Sequence, residues 1–97
     1  MTQDSERLFC SKILKVLSDK TRFAVVRELM NEPLTVSEIN KELRLDQSLL
    51  SHHLKILRDA KLIESERFGK SVRYSVSKGV HSKKNELNLG CCRLGFS

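Results

Sequence analysis

No stretch of the chain stays apolar for more than a few residues, which excludes a membrane-spanning helix on length alone. Its start, MTQDSERLF, has neither the basic opening nor the apolar run of an export signal, so a cytoplasmic protein is expected. There is no internal repeat and no low-complexity block, which removes solenoid architectures and compositionally biased tails. Cysteine is scarce and odd in number, with Cys10 and the adjacent pair Cys91 and Cys92 making three in 97 residues. An odd count without an export signal argues against a disulfide framework and leaves reactive or ion-ligating roles. Carboxylates are outnumbered, 12 Asp and Glu against 18 Lys and Arg, and the formal charge of +6 suits a polyanionic partner.

What is present fits one small soluble domain. Hydrophobic residues at 39% and charged residues at 31% describe a globular chain rather than a disordered one. So short a chain buries a modest core, and pairing of two copies is a natural way to cover further apolar surface.

Periodicity supplies the elements. Over about 5 to 17, Leu8, Phe9, Ile13, Val16 and Leu17 share a helical face. Ser18 and Asp19 offer a cap to a second helix over roughly 20 to 31, with Phe23, Val26, Leu29 and Met30 inward. Asn31-Glu32-Pro33 ends it, because proline disfavours helix in the preceding residue. Thr35-Val36-Ser37-Glu38 is a capping box for a third helix running to about Leu43, with Val36, Ile39 and Leu43 facing in. After the turn Arg44-Leu45-Asp46, a fourth helix over about 47 to 60 carries Leu50, Leu54 and Leu57 as its inner stripe.

Beyond Lys61 the period shortens to two. Ile63 to Arg67 and Val72 to Val76 read as strands joined through Phe68-Gly69-Lys70, with Val72, Tyr74 and Val76 on one face and Ser71, Arg73 and Ser75 on the other. Helix, helix, helix, tight turn, helix, hairpin is the order of a winged helix-turn-helix: mainly α with a small β-hairpin, expected as a dimer. Residues 1–77 are assigned to this DNA-binding domain and 78–97 to a C-terminal tail. In the tail, Lys78 to Asn85 reads as polar loop. Leu87, Leu89 and Cys91, then Cys92, Leu94 and Phe96, alternate across a slip at the cysteine pair, which favours an extended segment over a helix, as do Gly90 and Gly95.

The candidate chemistry lies first on the fourth helix. With the leucines inward, Gln47, Ser48, Ser51, His52 and Lys55 occupy its other faces, short hydrogen-bonding groups and one cation without bulk to block a groove. Gln47 suits an adenine edge, and the serines and Lys55 suit bases or phosphates. Arg67, Lys70 and Arg73 surround the hairpin tip, a basic ribbon for backbone or minor groove. Either feature alone would mean little, since polar helix faces and surface cations are ordinarily just solvated. Their succession on one capped helix pair and one hairpin carries the expectation of double-stranded DNA as partner.

The stretches LKVLSDKTRFAVVREL and LTVSEINKELRLDQSLLSHHLKILRDAKLIESERFGKSVRYSV resemble the ArsR/SmtB family of bacterial repressors over about residues 8 to 77. The block QSLLSHHLKILRDAKLI is specific to that family. The resemblance implies a homodimer on an inverted-repeat operator, with Gln47, Ser48, Ser51 and His52 at the groove and His53 turned toward the protein. It implies repression of its own operon, with release of DNA when an inducer binds. The family's Cys-x-Cys site on the first helix of the turn motif is absent, since that helix reads SEINKEL. The carboxylate and imidazole site on a long C-terminal helix is also absent; His81 and Glu86 have the wrong spacing.

Sensing then falls to the thiols. In the family, the first helix and the C-terminal segment meet at the dimer interface, which would bring Cys10 near Cys91 and Cys92. Three thiolates can hold a thiophilic ion (arsenite, Cu(I) or Zn), and the adjacent pair can instead oxidise to a vicinal disulfide or to sulfenic acid. The alternative function is a winged-helix module for protein or RNA without inducer sensing. A thiol enzyme has little support, because His52 and His53 sit on the reading helix and no acid or oxyanion loop accompanies them.

Overall fold

The computed structural model describes residues 2–96, and for 2–9 and Ser82 the backbone alone. Its elements are α1 (Thr2–Leu17), α2 (Lys20–Leu29), β1 (Leu34–Thr35), α3 (Val36–Leu43), α4 (Gln47–Asp59), β2 (Ile63–Phe68), β3 (Ser71–Val76), β4 (His81–Lys83), β5 (Glu86–Asn88) and β6 (Arg93–Gly95). The first helix starts a turn earlier than its periodicity suggests. The second ends two residues sooner, where Met30 caps it ahead of Pro33. Leu8 and Phe9, placed inward by the pattern, lie outside the described side chains.

Caps set the helix boundaries. Asp19 Oδ1 accepts from the amides of Thr21 and Arg22 at 2.9 and 3.0 Å and so starts α2. At α3, the Thr35 hydroxyl accepts from Glu38 N while the Glu38 carboxylate accepts from Thr35 N, completing the box. The Arg22 amide, ahead of the Arg22 guanidinium charge, holds the Asp19 carboxyl below the usual carboxylate range. A depressed native pKa contributes stability above the unfolded value of about 3.9 and loses it as pH falls through the native value. Asp19→Asn keeps a capping oxygen and removes only the charge, so it should lower stability by about 0.3–1 kcal/mol at pH 7. Thermal melts at pH 7 and pH 3 check this: the gap from wild type should close at the lower pH.

The core runs through every layer. Ile13, Leu17, Val25, Val26, Leu29, Ile39, Leu50, Leu54, Leu57, Leu62, Ile63 and Val76 are buried together. Each such side chain contributes roughly 1.5–3 kcal/mol over its exposed state. Val25, not placed inward by the sequence pattern, is fully buried, whereas Phe23 is only half-buried.

The hairpin is one strand wider than its sequence shows. The two residues of β1 pair antiparallel with β3, Leu34 opposite Tyr74 and Thr35 opposite Arg73, giving the sheet order β1-β3-β2. β2 and β3 pair from Ile63 opposite Val76 to Phe68 opposite Ser71. Gly69, at φ +62°, takes the first place of the two-residue loop, where a left-handed backbone suits glycine.

Residues 78–96 do not follow the expected loop over Lys78 to Asn85. They form a second antiparallel sheet, β4-β5-β6, whose first strand includes His81 to Lys83. Leu87 and Leu89 enter the same buried cluster as the helices, with Val80, Cys92, Leu94 and Phe96 packed against it. The Phe96 ring meets Phe23 of α2 edge-on at 5.1 Å, so apolar contact holds this sheet to the helical layer.

Candidate functional site

Two elements converge on the turn before α4. Asn40 of α3 donates from Nδ2 to the Leu45 carbonyl at 2.8 Å and accepts from the Leu45 amide at 2.7 Å. This reciprocal pair fixes residues 44–46, with Arg44 in the left-handed region at φ 51°, and so sets the angle between α3 and α4. Asp46 then caps α4, accepting from Ser48 N at 3.1 Å.

On α4, Ser48, Ser51, His52 and Lys55 follow the spacing of one helical face, with Gln47 beside Ser51, and all five are exposed. Lys55 carries an ion pair to Asp59 at 3.2 Å, one turn on and well exposed, which is worth only a few tenths of a kcal/mol and yields readily to a phosphate. His53 is turned inward, 9% exposed. Arg22 donates from one guanidinium nitrogen to His53 Nδ1 at 3.3 Å and from Nε to the Val16 carbonyl at 2.8 Å. A guanidinium only donates, so His53 presents a bare Nδ1 and is the Nε2–H tautomer. The contact ties α4 to the end of α1 and the start of α2.

The wing is less uniform than its sequence suggests. Arg67, Lys70 and Arg73 are exposed, but directly paired residues share a face, so Arg67 lies with Val72 and Arg73 lies with Glu66. The two arginines therefore occupy opposite faces of the ribbon, with Lys70 in the turn between them. The Arg73 guanidinium sits 5.0 Å from the centroid of the Phe68 ring, which restrains it at the tip. Phe68 and Leu49 are themselves 49% and 45% exposed, apolar surface beside the cations and the polar face of α4. Sequence reasoning passed over both. The doublet Leu49-Leu50 was the available signal, since only Leu50 falls on the inner stripe with Leu54 and Leu57.

The thiols come together within one chain. Cys10 of α1 is disulfide-bonded to Cys91, and Cys92 Sγ lies 3.8 Å from Cys10 Sγ. All three sulfurs are within 4.8 Å of one another, Cys91 exposed and the other two half-buried. The bond thus joins the first helix to the second sheet, and the vicinal Cys91–Cys92 disulfide is not the one formed. Gly90, at φ +90°, and a bond from its amide to Asn88 Oδ1 at 2.9 Å shape the turn that presents the pair. His81 lies on β4 and Glu86 on β5, and neither belongs to the cluster.

A clamped helix pair, an exposed polar helix and a β-ribbon define the winged helix-turn-helix class. Family comparison agrees: the model described as bacterial regulatory protein, arsR family, matches residues 19–65. Transcriptional repressor SdpR of Bacillus subtilis is 30% identical over 70 residues, 72% of this chain and 78% of SdpR. The transcriptional regulator NmtR of Mycobacterium tuberculosis is 33% identical over 63 residues, 65% of this chain and 52% of NmtR. Reduced HlyU of Vibrio cholerae superimposes with a TM-score of 0.74 at 27% identity, over 79% of this chain and 81% of HlyU. The chain belongs to the ArsR family of winged helix-turn-helix regulators. It spans about half the length of several of its relatives, 52% of NmtR among them, and all three cysteines lie outside the matched residues 19–65.

Proposed function

We propose that this chain is a sequence-specific transcriptional repressor whose DNA affinity is set by thiol chemistry at Cys91 and Cys92 together with Cys10. It works as a homodimer on an inverted repeat in the cytoplasm, with Gln47, Ser48, Ser51 and His52 reading bases and Lys55, Arg67, Lys70 and Arg73 holding backbone. The observation that carries this is the exposed polar face of α4, free of carboxylates until Asp59. Relatives named as transcriptional repressors and regulators support DNA binding over the protein- or RNA-binding alternative and over an enzyme.

Dimer formation has apolar surface to use. A groove of about 700 Å³ lies between α1 and the end of α4, lined in part by Ile13, Val16, Ile56 and Ala60, and Leu14 on α1 is 40% exposed. Among the described residues no helix is long and apolar enough to cross a membrane. In a reducing compartment a disulfide is ordinarily transient and signalling rather than structural. The Cys10–Cys91 pair suits that role because it bridges two parts of the fold that sequence does not join.

The test is binding to duplexes from the region upstream of its own gene, by reduced protein, peroxide-treated protein, and reduced protein with arsenite, copper or zinc. Specific binding that changes at least tenfold with oxidant or one ion, and returns with reductant or chelator, is the expected result. Specific binding indifferent to all of them would remove the thiol control. Replacing Lys70 and Arg73 with alanine should weaken every duplex alike and lower the log–log salt slope by about 3.6, as for two lost phosphate contacts in each of the two chains.

A further inference from the structure

Resting on the DNA-binding reading above, we propose that Leu49 is a specificity-determining residue. In the major groove it packs on the C5-methyl group of one thymine in each half-site and selects against the other bases there. Among the described residues three large hydrophobic side chains are exposed, Leu14, Leu49 and Phe68, and Leu49 is the one on α4. The other leucines of that helix are covered, Leu50 and Leu57 at 0% and Leu54 at 2%, against 45% for Leu49. The core is therefore filled from α4 without it.

A single exposed leucine is ordinary on a protein surface. Its position sets this one apart. Asp46 caps α4, so Leu49 is the third residue of the first turn, the part of a recognition helix whose side chains reach base edges. It stands about 60° round the helix axis from His52 and about 100° from Ser48. Residues three apart are neighbours on a helix surface, so the exposed leucine and the exposed imidazole present themselves together. The turn behind it is fixed by the Asn40 bonds to Leu45, which gives the first turn of α4 a set direction.

The chemistry of base edges decides what it meets. In the major groove every base presents donors or acceptors, and thymine alone adds a methyl group. A leucine makes no hydrogen bond, so over a guanine, an adenine or a cytosine amino group it would strip water and return nothing. Over a methyl group it removes apolar surface from water on both partners. One buried methyl is worth about fourfold in affinity, about 0.8 kcal/mol, and one in each of two half-sites about 15-fold. Gln47, Ser48, Ser51 and His52 read by hydrogen bonding, so Leu49 adds the one kind of contact that they do not make.

The experiment uses the full chain and the specific duplex from upstream of its own gene, with each symmetry-related pair of thymines replaced in turn by deoxyuridine. Deoxyuridine keeps every donor and acceptor of thymine and lacks only the methyl group. Fluorescence anisotropy with wild type, Leu49→Ala and Leu49→Met makes each replacement a double-mutant cycle. For wild type, one pair of replacements should cost about 15-fold in affinity. Leu49→Ala should bind the thymine duplex about 15-fold more weakly than wild type and lose no more than about twofold on the same replacement. Leu49→Met, apolar and of similar length, should keep most of the wild-type discrimination. Because Leu49 is half-exposed, both variants should melt within about 4 °C of wild type. Indifference of wild type to every replacement would overturn the assignment. An equal loss in wild type and Leu49→Ala would overturn it too, by giving the methyl group to another residue. Failure of wild type to prefer the specific duplex over a random one would overturn the DNA-binding reading and this assignment with it, so the two failures are told apart.

Discussion

Replacing Ser51 and His52 together with alanine is expected to cost at least about 30-fold in preference for the specific duplex over a random one. Each good side-chain contact to a base edge is worth about 1–3 kcal/mol of discrimination, and the two sit one residue apart on the exposed face of α4. Neither side chain is buried, so the melting curve should stay within about 0.5 kcal/mol of wild type. Affinity for random duplexes should fall far less, because the cations at Lys55, Lys70 and Arg73 remain. Fluorescence anisotropy with matched specific and scrambled duplexes separates these quantities. Retained discrimination would move base reading to another element.

The second large effect is on stability. The Cys10–Cys91 bond closes a loop with a sequence separation of 81. Chain-entropy reasoning gives a cross-link of that span about 4 kcal/mol over the reduced chain. In a domain of this size that corresponds to a rise on the order of 20 °C in melting temperature. Melts of oxidised wild type should therefore lie well above those of reduced wild type, while Cys10→Ser should melt at one temperature with or without reductant. Superimposable melts of both wild-type forms, with the disulfide verified by mass, would show that the bridge does not constrain the fold.

The helical half of the molecule was legible because its signals are local. A capping box at Thr35 and Glu38, a cap at Asp19 and an inner stripe of Leu50, Leu54 and Leu57 each need only a few neighbouring residues, and each stands in the structure as read. The inward turn of His53 was implied by the family resemblance, and His53 is buried. What escaped was everything made by distant partners. β1 is two residues long and exists only because β3 lies beside it, so no periodicity announces it. The Asn40 clamp on Leu45 depends on a turn whose geometry a sequence does not display.

The tail shows the same limit more sharply. Its strands have three residues each, with a register irregularity between His81 and Lys83, too short for alternation to separate strand from loop. Leu87 gave no sign that it would be fully buried in the common core. For the thiols, residue identity named the participants, yet connectivity among three cysteines is not a sequence property. Proximity was expected where the first helix meets the C-terminal segment, and it arises because the second sheet packs against the helical layer. On the wing, opposite facing of Arg67 and Arg73 follows from strand register, which the hairpin loop sets and composition does not.

The measurement that bears most directly on the central claim is a competition titration of the reduced chain on a duplex from upstream of its own gene, with excess random DNA, at two salt concentrations. The expected result is a saturable complex of two chains per site that survives the competitor at both concentrations, with a protected region of two-fold symmetry. Equal affinity for specific and random duplexes, or loss of all binding once competitor is present, would contradict a sequence-specific regulator.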